Sequence, residues 1–218
     1  MTELPLEHVY VEPEDRTDGP TPAVVLMHGR GADEQDLLPV ARELPDELAA
    51  VSLRAPDPVG GGYRWYEIQA PEGLDTSQPH PEEYRRSLNL VTESIAAATE
   101  TYGLDPDRIG LLGFSMGSMI GMGLLLEAPR RYSWLVGLHG YLPESHATKA
   151  PDGIVGKPVF LGAGASDQII PPSRVETAAE RFRELDAEVS FNVYSVGHGI
   201  GTEELADLVA FVEDRLGS

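Results

Sequence analysis

The chain contains no cysteine and only two lysines among its 218 residues. The absence of cysteine excludes disulfide bonds, zinc–thiolate sites, iron–sulfur clusters and a cysteine nucleophile. No uninterrupted apolar run approaches the roughly 18 residues that a membrane span needs. The first residues, Met1–Pro5, also lack the basic and apolar regions of a signal peptide. We therefore expect a soluble protein of the cytoplasm without a membrane span.

Acidic residues strongly outnumber basic ones, since 36 Asp and Glu against 16 Lys and Arg give a formal net charge of −20. Such a surface repels nucleic acid and anionic membranes, so neither is an expected partner. An acidic excess with little lysine is typical of proteins from salt-loving organisms, in which concentrated cytoplasmic salt screens the charge. A merely acidic enzyme is the alternative. The charge thus predicts a halophilic origin and leaves the chemistry open.

Strand-like and helix-like segments alternate along the chain, which favours a mostly parallel central sheet with helices on both faces. Short apolar runs predict strands over His8–Glu12, Pro22–Met27, Ala50–Leu53, Ile109–Leu112, Trp134–Leu138, Val159–Leu161 and Val189–Tyr194. Apolar stripes at steps of three and four predict amphipathic helices over Pro81–Tyr102, from Val175 to Leu185 and from Leu205 to Leu216. The segment Met116–Leu126 is apolar nearly all round and predicts a buried helix. Without an internal repeat, residues 1–218 are expected to form a single domain.

The strongest local motif is Gly113-Phe114-Ser115-Met116-Gly117. It follows a predicted strand and precedes the predicted buried helix, which is the context of a G-x-S-x-G nucleophile turn. Exposing the serine oxygen at the helix N-terminus requires a strained turn, in which side chains two residues before and after the serine would collide. Gly113 and Gly117 supply the space. A serine that merely caps a core helix would explain Ser115 but neither glycine, so Ser115 is the candidate nucleophile.

A serine hydroxyl is a poor nucleophile at neutral pH and needs a base within hydrogen-bond reach. Enzymes with this motif carry serine, acid and histidine in that chain order, which leaves His139, His146 and His198 as candidates. His139 ends a predicted strand and His146 lies in the polar loop that follows, so both are interpreted as structural or surface residues. His198 lies between two glycines in the turn after the last strand, and it is the candidate base.

The acid that orients the base should follow a strand between the nucleophile and the base. Asp167 follows the predicted strand Val159–Leu161 at its carboxyl end, where open α/β sheets place their sites. Asp152 precedes that strand at the wrong end, and Asp186 lies at the far end of a helix. Asp167 is therefore expected to hold the tautomer of His198 and to stabilise the imidazolium formed during attack.

Together these motifs resemble the small carboxylesterase, phospholipase and acyl-protein thioesterase branch of the α/β hydrolases. The resemblance rests on Gly113–Gly117, on the sequence H-G-R-G-A-D at His28–Asp33, on Asp167 and on Gly197–Gly199. It covers nearly the whole chain, from the strand at Pro22 to the C-terminal helix. It implies the α/β-hydrolase fold and the hydrolysis of carboxylic esters, with thioesters and lysophospholipids as further substrates, through an acyl-enzyme intermediate.

The resemblance also implies the remaining parts of the site. The loop that begins at His28 would supply one backbone N–H to the oxyanion, from Arg30, and Met116 would supply the other. The family often has Leu and Gln at the places of Arg30 and Met116, a departure that affects side-chain contacts but not main-chain donors. His28 itself is interpreted as a brace of the loop. Trp65 and Tyr66 would line the substrate cleft, and a hydrophobic plug that closes the core is the alternative.

The connection between the strands at Trp134 and Val159 has only about twenty residues, so we expect no large lid and an open cleft suited to small acyl chains. No metal or nucleotide motif is found, so no metal and no cofactor are expected. The expected partner is a small-molecule ester, and a homodimer is left open.

One alternative is a dienelactone-hydrolase-like enzyme, whose nucleophile is usually the cysteine that this chain lacks. Another alternative function is that of a catalytically silent binding module on the same scaffold. The presence of Ser115, Asp167 and His198 together argues against it.

Overall fold

The computed structural model describes residues 4–15, 19–70, 73 and 76–216. The first three residues, on which the interpretation of the N-terminus partly rests, lie outside the described part. The strands are β1 (His8–Val11), β2 (Thr21–Met27), β3 (Ala49–Leu53), β4 (Asp57–Val59), β5 (Gly62–Arg64), β6 (Ile68–Gln69), β7 (Gln78–Pro79), β8 (Leu104–Phe114), β9 (Trp134–Leu138), β10 (Pro158–Gly164) and β11 (Glu188–Tyr194). The helices are α1 (Leu38–Ala41), α2 (Pro81–Tyr102), α3 (Met116–Glu127), α4 (Glu144–Ala147), α5 (Pro172–Glu184) and α6 (Thr202–Leu216), with a 3₁₀ turn at Pro129–Arg131.

A seven-stranded sheet in the order β1-β3-β2-β8-β9-β10-β11 forms the centre of the structure. Only β1 runs antiparallel to its neighbour in this sheet, and the other five pairs are parallel. Two small antiparallel pairs, β4 with β5 and β6 with β7, lie in the segment between β3 and α2. This architecture confirms the α/β-hydrolase fold with a mostly parallel sheet.

Both faces of the sheet are covered by helices. Ala23, Val25 and Met27 of β2 pack into a core that includes residues of α2, α3 and α5. Val24 and Leu26 point the other way, into a core that includes residues of α1 and α6. Alternate side chains of a strand point to opposite faces, so a strand buried on both faces must be apolar throughout. This explains why β2 is a continuous apolar run in the sequence.

All seven predicted strands form the central sheet, and the four predicted helices form as α2, α3, α5 and α6. The largest difference lies in β8, which extends on both sides of the predicted Ile109–Leu112. The small strands and the short helices α1 and α4 were not predicted, because two to four residues are too few to show a period. No helix of the described ranges is long and apolar enough to cross a membrane.

The parallel strands β8, β9, β10 and β11 place their carboxyl ends along one edge of the sheet. The loops that follow them begin, respectively, at Ser115, at His139, just before Asp167 and just before His198. Parallel neighbours therefore bring together polar residues that are far apart in the chain. Between β9 and β10 the chain holds only the four-residue α4, as the prediction of no large lid requires.

Candidate active site

The turn between β8 and α3 carries Ser115 in a strained backbone conformation. Its φ of 54° lies in the left-handed region, which a non-glycine residue rarely adopts. The amide of Ser115 donates to the carbonyl of Leu138, the last residue of β9, at 2.8 Å. The turn is thus tied to the neighbouring strand.

The two glycines of the motif stand where no side chain would fit. A Cβ atom at Gly113 would lie 2.3 Å from the carbonyl carbon of Gly117, and one at Gly117 would lie 1.9 Å from the carbonyl oxygen of Met27. The turn therefore packs backbone against backbone on both sides of Ser115. This is the steric requirement inferred from the G-x-S-x-G pattern.

The three predicted catalytic residues lie in hydrogen-bond contact. Nε2 of His198 is 3.0 Å from Oγ of Ser115, and Nδ1 of His198 is 2.7 Å from Oδ2 of Asp167. Ser115 and Asp167 are buried, whereas the side chain of His198 is partly exposed. The arrangement places a hydroxyl, an imidazole within reach of its proton and a carboxylate in one line, which is the geometry that the predicted roles require.

Asp167 is held as a carboxylate by four hydrogen bonds. Its Oδ1 accepts the amides of Ile169 and Ile170, each at 2.9 Å, and its Oδ2 faces the imidazoles of His198 and His139. Burial by itself raises the pKa of Asp167, but these hydrogen bonds lower it by more, so the net pKa lies below its usual range. The acid remains charged where the base must be oriented.

His139 contacts the predicted acid, which the sequence interpretation did not anticipate. It was interpreted as structural or surface, yet its side chain is fully buried and Nδ1 lies 3.0 Å from the same Oδ2 of Asp167 that contacts His198. Its other nitrogen lies 3.1 Å from Oε2 of Glu204, a fully buried residue of α6 that was not singled out. The available signal was the position of His139 directly after β9, beside the strand that carries the nucleophile.

The loop after β2 lies against the nucleophile. A Cβ atom at Gly29 would be 3.5 Å from Cβ of Ser115, so the amide of Arg30 belongs to a segment next to the reacting oxygen. Met116 is the first residue of α3, and the first amides of a helix have no acceptor within the helix. These placements are compatible with the two oxyanion donors that the resemblance implied.

His28 braces this loop from within the core. Its Nε2 accepts the amide of Ala55 at 3.0 Å, so Nδ1 carries the proton and donates to the carbonyl of Gly29 at 2.6 Å. Burial lowers the pKa of His28 and favours this neutral form. His28 therefore holds the loop in place rather than taking part in proton transfer.

The structure corrects the expectation that Trp65 and Tyr66 line the cleft. Both side chains are completely buried. The indole N–H of Trp65 donates to the carbonyl of His28 at 2.8 Å, and the hydroxyl of Tyr66 donates to the carbonyl of Met116 at 3.3 Å. Large aromatic side chains are most stable when buried with their polar tips paired. The alternative of a core plug is therefore correct, and the plug contacts the loop after β2 and the start of α3 from within the core.

A cleft of about 670 Å³ opens above Ser115 and His198. Its walls come from the loop after β2, the segment between β5 and α2, the turn from β8 into α3, and the loops after β9, β10 and β11. The side chains of Phe114, Met116, Met119, Tyr141, Ile169 and Ile170 give it an apolar lining. Arg30, Asp36 and Glu67 bring charged groups to the cleft. Such a mixture suits an apolar acyl chain attached to a polar group.

One group of side chains in the described ranges has the spacing of a metal site. His139, Asp167 and His198 offer ligand atoms that all lie within 4.8 Å of one another. Both imidazoles, however, place Nδ1 against the same carboxylate oxygen, and the remaining nitrogens face Ser115 and Glu204. Every nitrogen is thus engaged in a hydrogen bond, and we assign the group to proton chemistry.

Comparison with solved structures defines the class of protein. A carboxylesterase from Bacillus cereus superposes with a TM-score of 0.84 at 24% identity, covering 96% of this chain and 94% of that one. A carboxylesterase from Mesorhizobium loti superposes with a TM-score of 0.84 at 23% identity, covering 98% and 97%. The chain is an α/β hydrolase in fold.

Sequence comparison defines the family. The profile of the phospholipase/carboxylesterase family matches residues 8–216. Acyl-protein thioesterase 1 of Candida albicans is 24% identical, and the match covers 88% of this chain and 91% of the relative. The putative hydrolase MhqD of Bacillus subtilis is 25% identical, with 83% and 87% covered. The chain belongs to the phospholipase/carboxylesterase family and is a carboxylic ester hydrolase, which confirms the resemblance seen in the sequence.

Proposed function

We propose that the protein hydrolyses carboxylic esters by an acyl-enzyme route, with Ser115 as nucleophile, His198 as base and Asp167 as the orienting acid. The observation that carries this proposal is the continuous hydrogen-bonded line from Oγ of Ser115 through His198 to Oδ2 of Asp167. The strained turn at Ser115 supports it, because such strain is maintained at sites where it serves the chemistry.

In the acylation step, Nε2 of His198 takes the hydroxyl proton as Oγ of Ser115 forms a bond to the carbonyl carbon. The amides of Arg30 and Met116 then donate to the oxyanion of the tetrahedral intermediate. Asp167 stabilises the imidazolium through Nδ1. When the intermediate collapses, the bond to the leaving oxygen breaks, and the proton on Nε2 goes to the departing alkoxide.

In the deacylation step, water takes the place of the alcohol in the cleft. Nε2 of His198 removes a proton from the water as its oxygen attacks the acyl carbon. The same amides receive the second oxyanion. Collapse breaks the bond to Oγ, and the proton on Nε2 returns to Ser115. The products are a carboxylic acid and the free enzyme.

Substrates with small or water-soluble acyl groups fit the cleft best. Among the described residues, the segment between β9 and β10 holds only a four-residue helix, so this segment provides no large lid over Ser115. We expect little activation at lipid interfaces, because nothing of lid size has to open. Hydrolysis rates of a short-chain ester measured on both sides of its critical micelle concentration test this. A sharp rise above that concentration would contradict the open cleft.

Thioester hydrolysis is the second candidate, because the relative from Candida albicans is called an acyl-protein thioesterase. The same serine chemistry attacks both bonds, since only the leaving atom differs. Rates on oxygen esters and thioesters with the same acyl group would rank the two activities.

A fluorophosphonate probe tests the proposal directly, since it labels only an activated serine. We expect one label per chain on the parent protein and none on Ser115→Ala. The same variant should lose ester hydrolysis by about 10⁶-fold while its melting temperature hardly changes, because Oγ contributes little packing. Ser118→Ala is a matched control, since Ser118 is also a buried serine and lies three residues later, in α3. Retention of more than a few per cent of activity in Ser115→Ala would refute the assignment.

We further propose that the acidic surface is an adaptation to high salt. The net charge of −20 and the two lysines support it. The cytoplasmic location and a homodimer stay predictions.

A further inference from the structure

The catalytic acid is shared by two histidines. Oδ2 of Asp167 lies 2.7 Å from Nδ1 of His198 and 3.0 Å from Nδ1 of His139. The two rings are nearly perpendicular, with centroids 5.6 Å apart. The charge and direction of this one oxygen determine how His198 is oriented. Whatever controls His139 therefore acts on the base through Asp167.

Both nitrogens of His139 face carboxylates. Nδ1 points to Asp167, and Nε2 lies 3.1 Å from Oε2 of Glu204. A neutral imidazole has one N–H and could donate to only one of these oxygens. An imidazolium donates to both. Burial lowers the pKa of His139, but the hydrogen bonds to Glu204 and Asp167 raise it by more, so the net pKa lies above its usual value.

The fold makes room for Glu204 in its interior. The residue is fully buried, although a buried glutamate is rare without a partner. Its Oε1 lies against Gly162 of β10, where a Cβ atom would be only 2.0 Å away. Any other residue at 162 would displace the carboxylate. Among the described residues Oε1 has no hydrogen-bond partner, so His139 is the partner found for this carboxylate.

His139 also has a costly backbone conformation. Its φ of 51° lies in the left-handed region, and its amide donates to the carbonyl of Gly162 at 2.8 Å. Strain of this kind persists only where surrounding contacts fix it. The side chain of His139 is thus built into its place between β9 and β10.

We propose that His139 and Glu204 are positioning residues of the catalytic triad. Glu204 and Asp167 favour the doubly protonated form of His139, which donates to both carboxylates and so fixes Oδ2 of Asp167. The inference rests on the proposed function, in which His198 must be free of a proton to accept one from Ser115. Its consequence is a pH profile whose acid limb depends on the charge of His139.

The charged groups around His139 are accounted for element by element. Glu204 comes from α6, Asp167 from the loop after β10 and His198 from the loop after β11. The ring of Phe114 at the end of β8 lies 5.4 Å away and carries no charge. Asp207, one turn beyond Glu204, is exposed and accepts the hydroxyl of Tyr194 at 2.7 Å.

Glu204→Gln is the decisive variant. The glutamine amide can donate to Nε2 of His139, which leaves Nδ1–H for Asp167, so the geometry is kept while His139 becomes neutral. Removing the positive charge of His139 favours protonation of the nearby His198. Removing the negative charge of Glu204 disfavours that protonation, but by less, because Glu204 is farther from His198. The acid limb of the pH profile of kcat/KM should move up by about 0.5 to 1 pH unit. KM should hardly change.

A second variant and a control guard against a purely structural effect. In the double variant His139→Asn with Glu204→Gln, the asparagine tolerates the left-handed backbone and its amide can still donate to Asp167. It should show the same upward movement of the acid limb. Glu127→Gln removes a carboxylate from another buried histidine, His146, at 3.2 Å and away from the catalytic acid. This control should lower stability at most and leave the acid limb in place.

The readout can be made independent of ester hydrolysis. In a Ser115→Ala background, NMR of the imidazole protons follows the uptake of a proton by His198 whether or not a substrate is found. An upward movement in Glu204→Gln and in the double variant supports the proposal even if the esterase assignment fails. Movement of less than about 0.2 pH unit in both variants, equal to the Glu127→Gln control, would overturn it.

Discussion

Carboxylates have different surroundings at the carboxyl edge of the central sheet and on the outer surface of the molecule. At the edge, the carboxylates of Asp167 and Glu204 are buried, and each lies against a particular histidine. At the surface, the excess of 36 acidic over 16 basic residues gives a large net negative charge. Charge at the edge acts through contacts of about 3 Å, whereas charge at the surface acts collectively and is screened by salt. Local substitutions should therefore disturb the edge, and ionic strength should disturb the surface.

The largest effect is expected where a buried acid orients the base. Asp167→Asn should lower kcat by about 10⁴-fold, because the amide no longer accepts Nδ1–H of His198 in the required tautomer. Asp152→Asn is the matched control, since Asp152 lies on an exposed turn before β10. Steady-state kinetics with one ester substrate compare the two variants. Equal and mild losses would mean that the acid of the triad lies elsewhere.

An intermediate effect is expected for the ion pair between Arg54 and Glu34, which lie in the loops after β3 and β2. Arg54 donates to both carboxylate oxygens of Glu34, at 2.5 and 2.6 Å. This pairing lowers the pKa of Glu34 to about 2 from an ordinary value of 4.5. The stabilisation is therefore fully present above about pH 4.5 and is lost as the pH falls toward 2. Glu34→Gln should lower the free energy of unfolding at neutral pH by about 2 kcal/mol, less than the full shift because water screens the guanidinium.

Urea unfolding at neutral pH and at about pH 3 measures this contribution, since the gap between parent and variant should shrink at the lower pH. Glu184→Gln serves as the control, because its carboxylate is 65% exposed in its pair with Arg181. That control should change stability by well under 1 kcal/mol at either pH. A gap for Glu34→Gln that does not depend on pH would show that the pairing is not its cause.

The smallest effect per charge is expected at the surface. The Debye length falls from about 30 Å at 0.01 M salt to about 3 Å at 1 M, so added NaCl should raise the melting temperature by a few degrees. Sucrose strengthens burial without screening charge and separates the two causes. Thermal unfolding in both solutes makes the comparison. A flat salt curve, or one that sucrose reproduces fully, would contradict a salt-adapted surface.

The central sheet could be predicted because its signal is local. A strand buried on both faces must be apolar throughout, and β2 and β9 show this within a few residues. The nucleophile could be predicted for the same reason, since Gly113 and Gly117 are required by contacts of the turn with itself and with β2. The small strands β4 to β7 could not, because two or three residues are too few to show a period.

The sequence by itself determined the order of strands and helices, the strained serine turn and the candidate triad of Ser115, Asp167 and His198, because each depends on short-range patterns. Only the tertiary structure decided that Trp65 is buried against the loop after β2 and that Glu204 reaches His139 across 65 residues of chain. The physical reason is the parallel sheet, which brings together strand ends and a helix that no local pattern connects. The packing of these strand ends against the helix decides which buried polar residues contact the site.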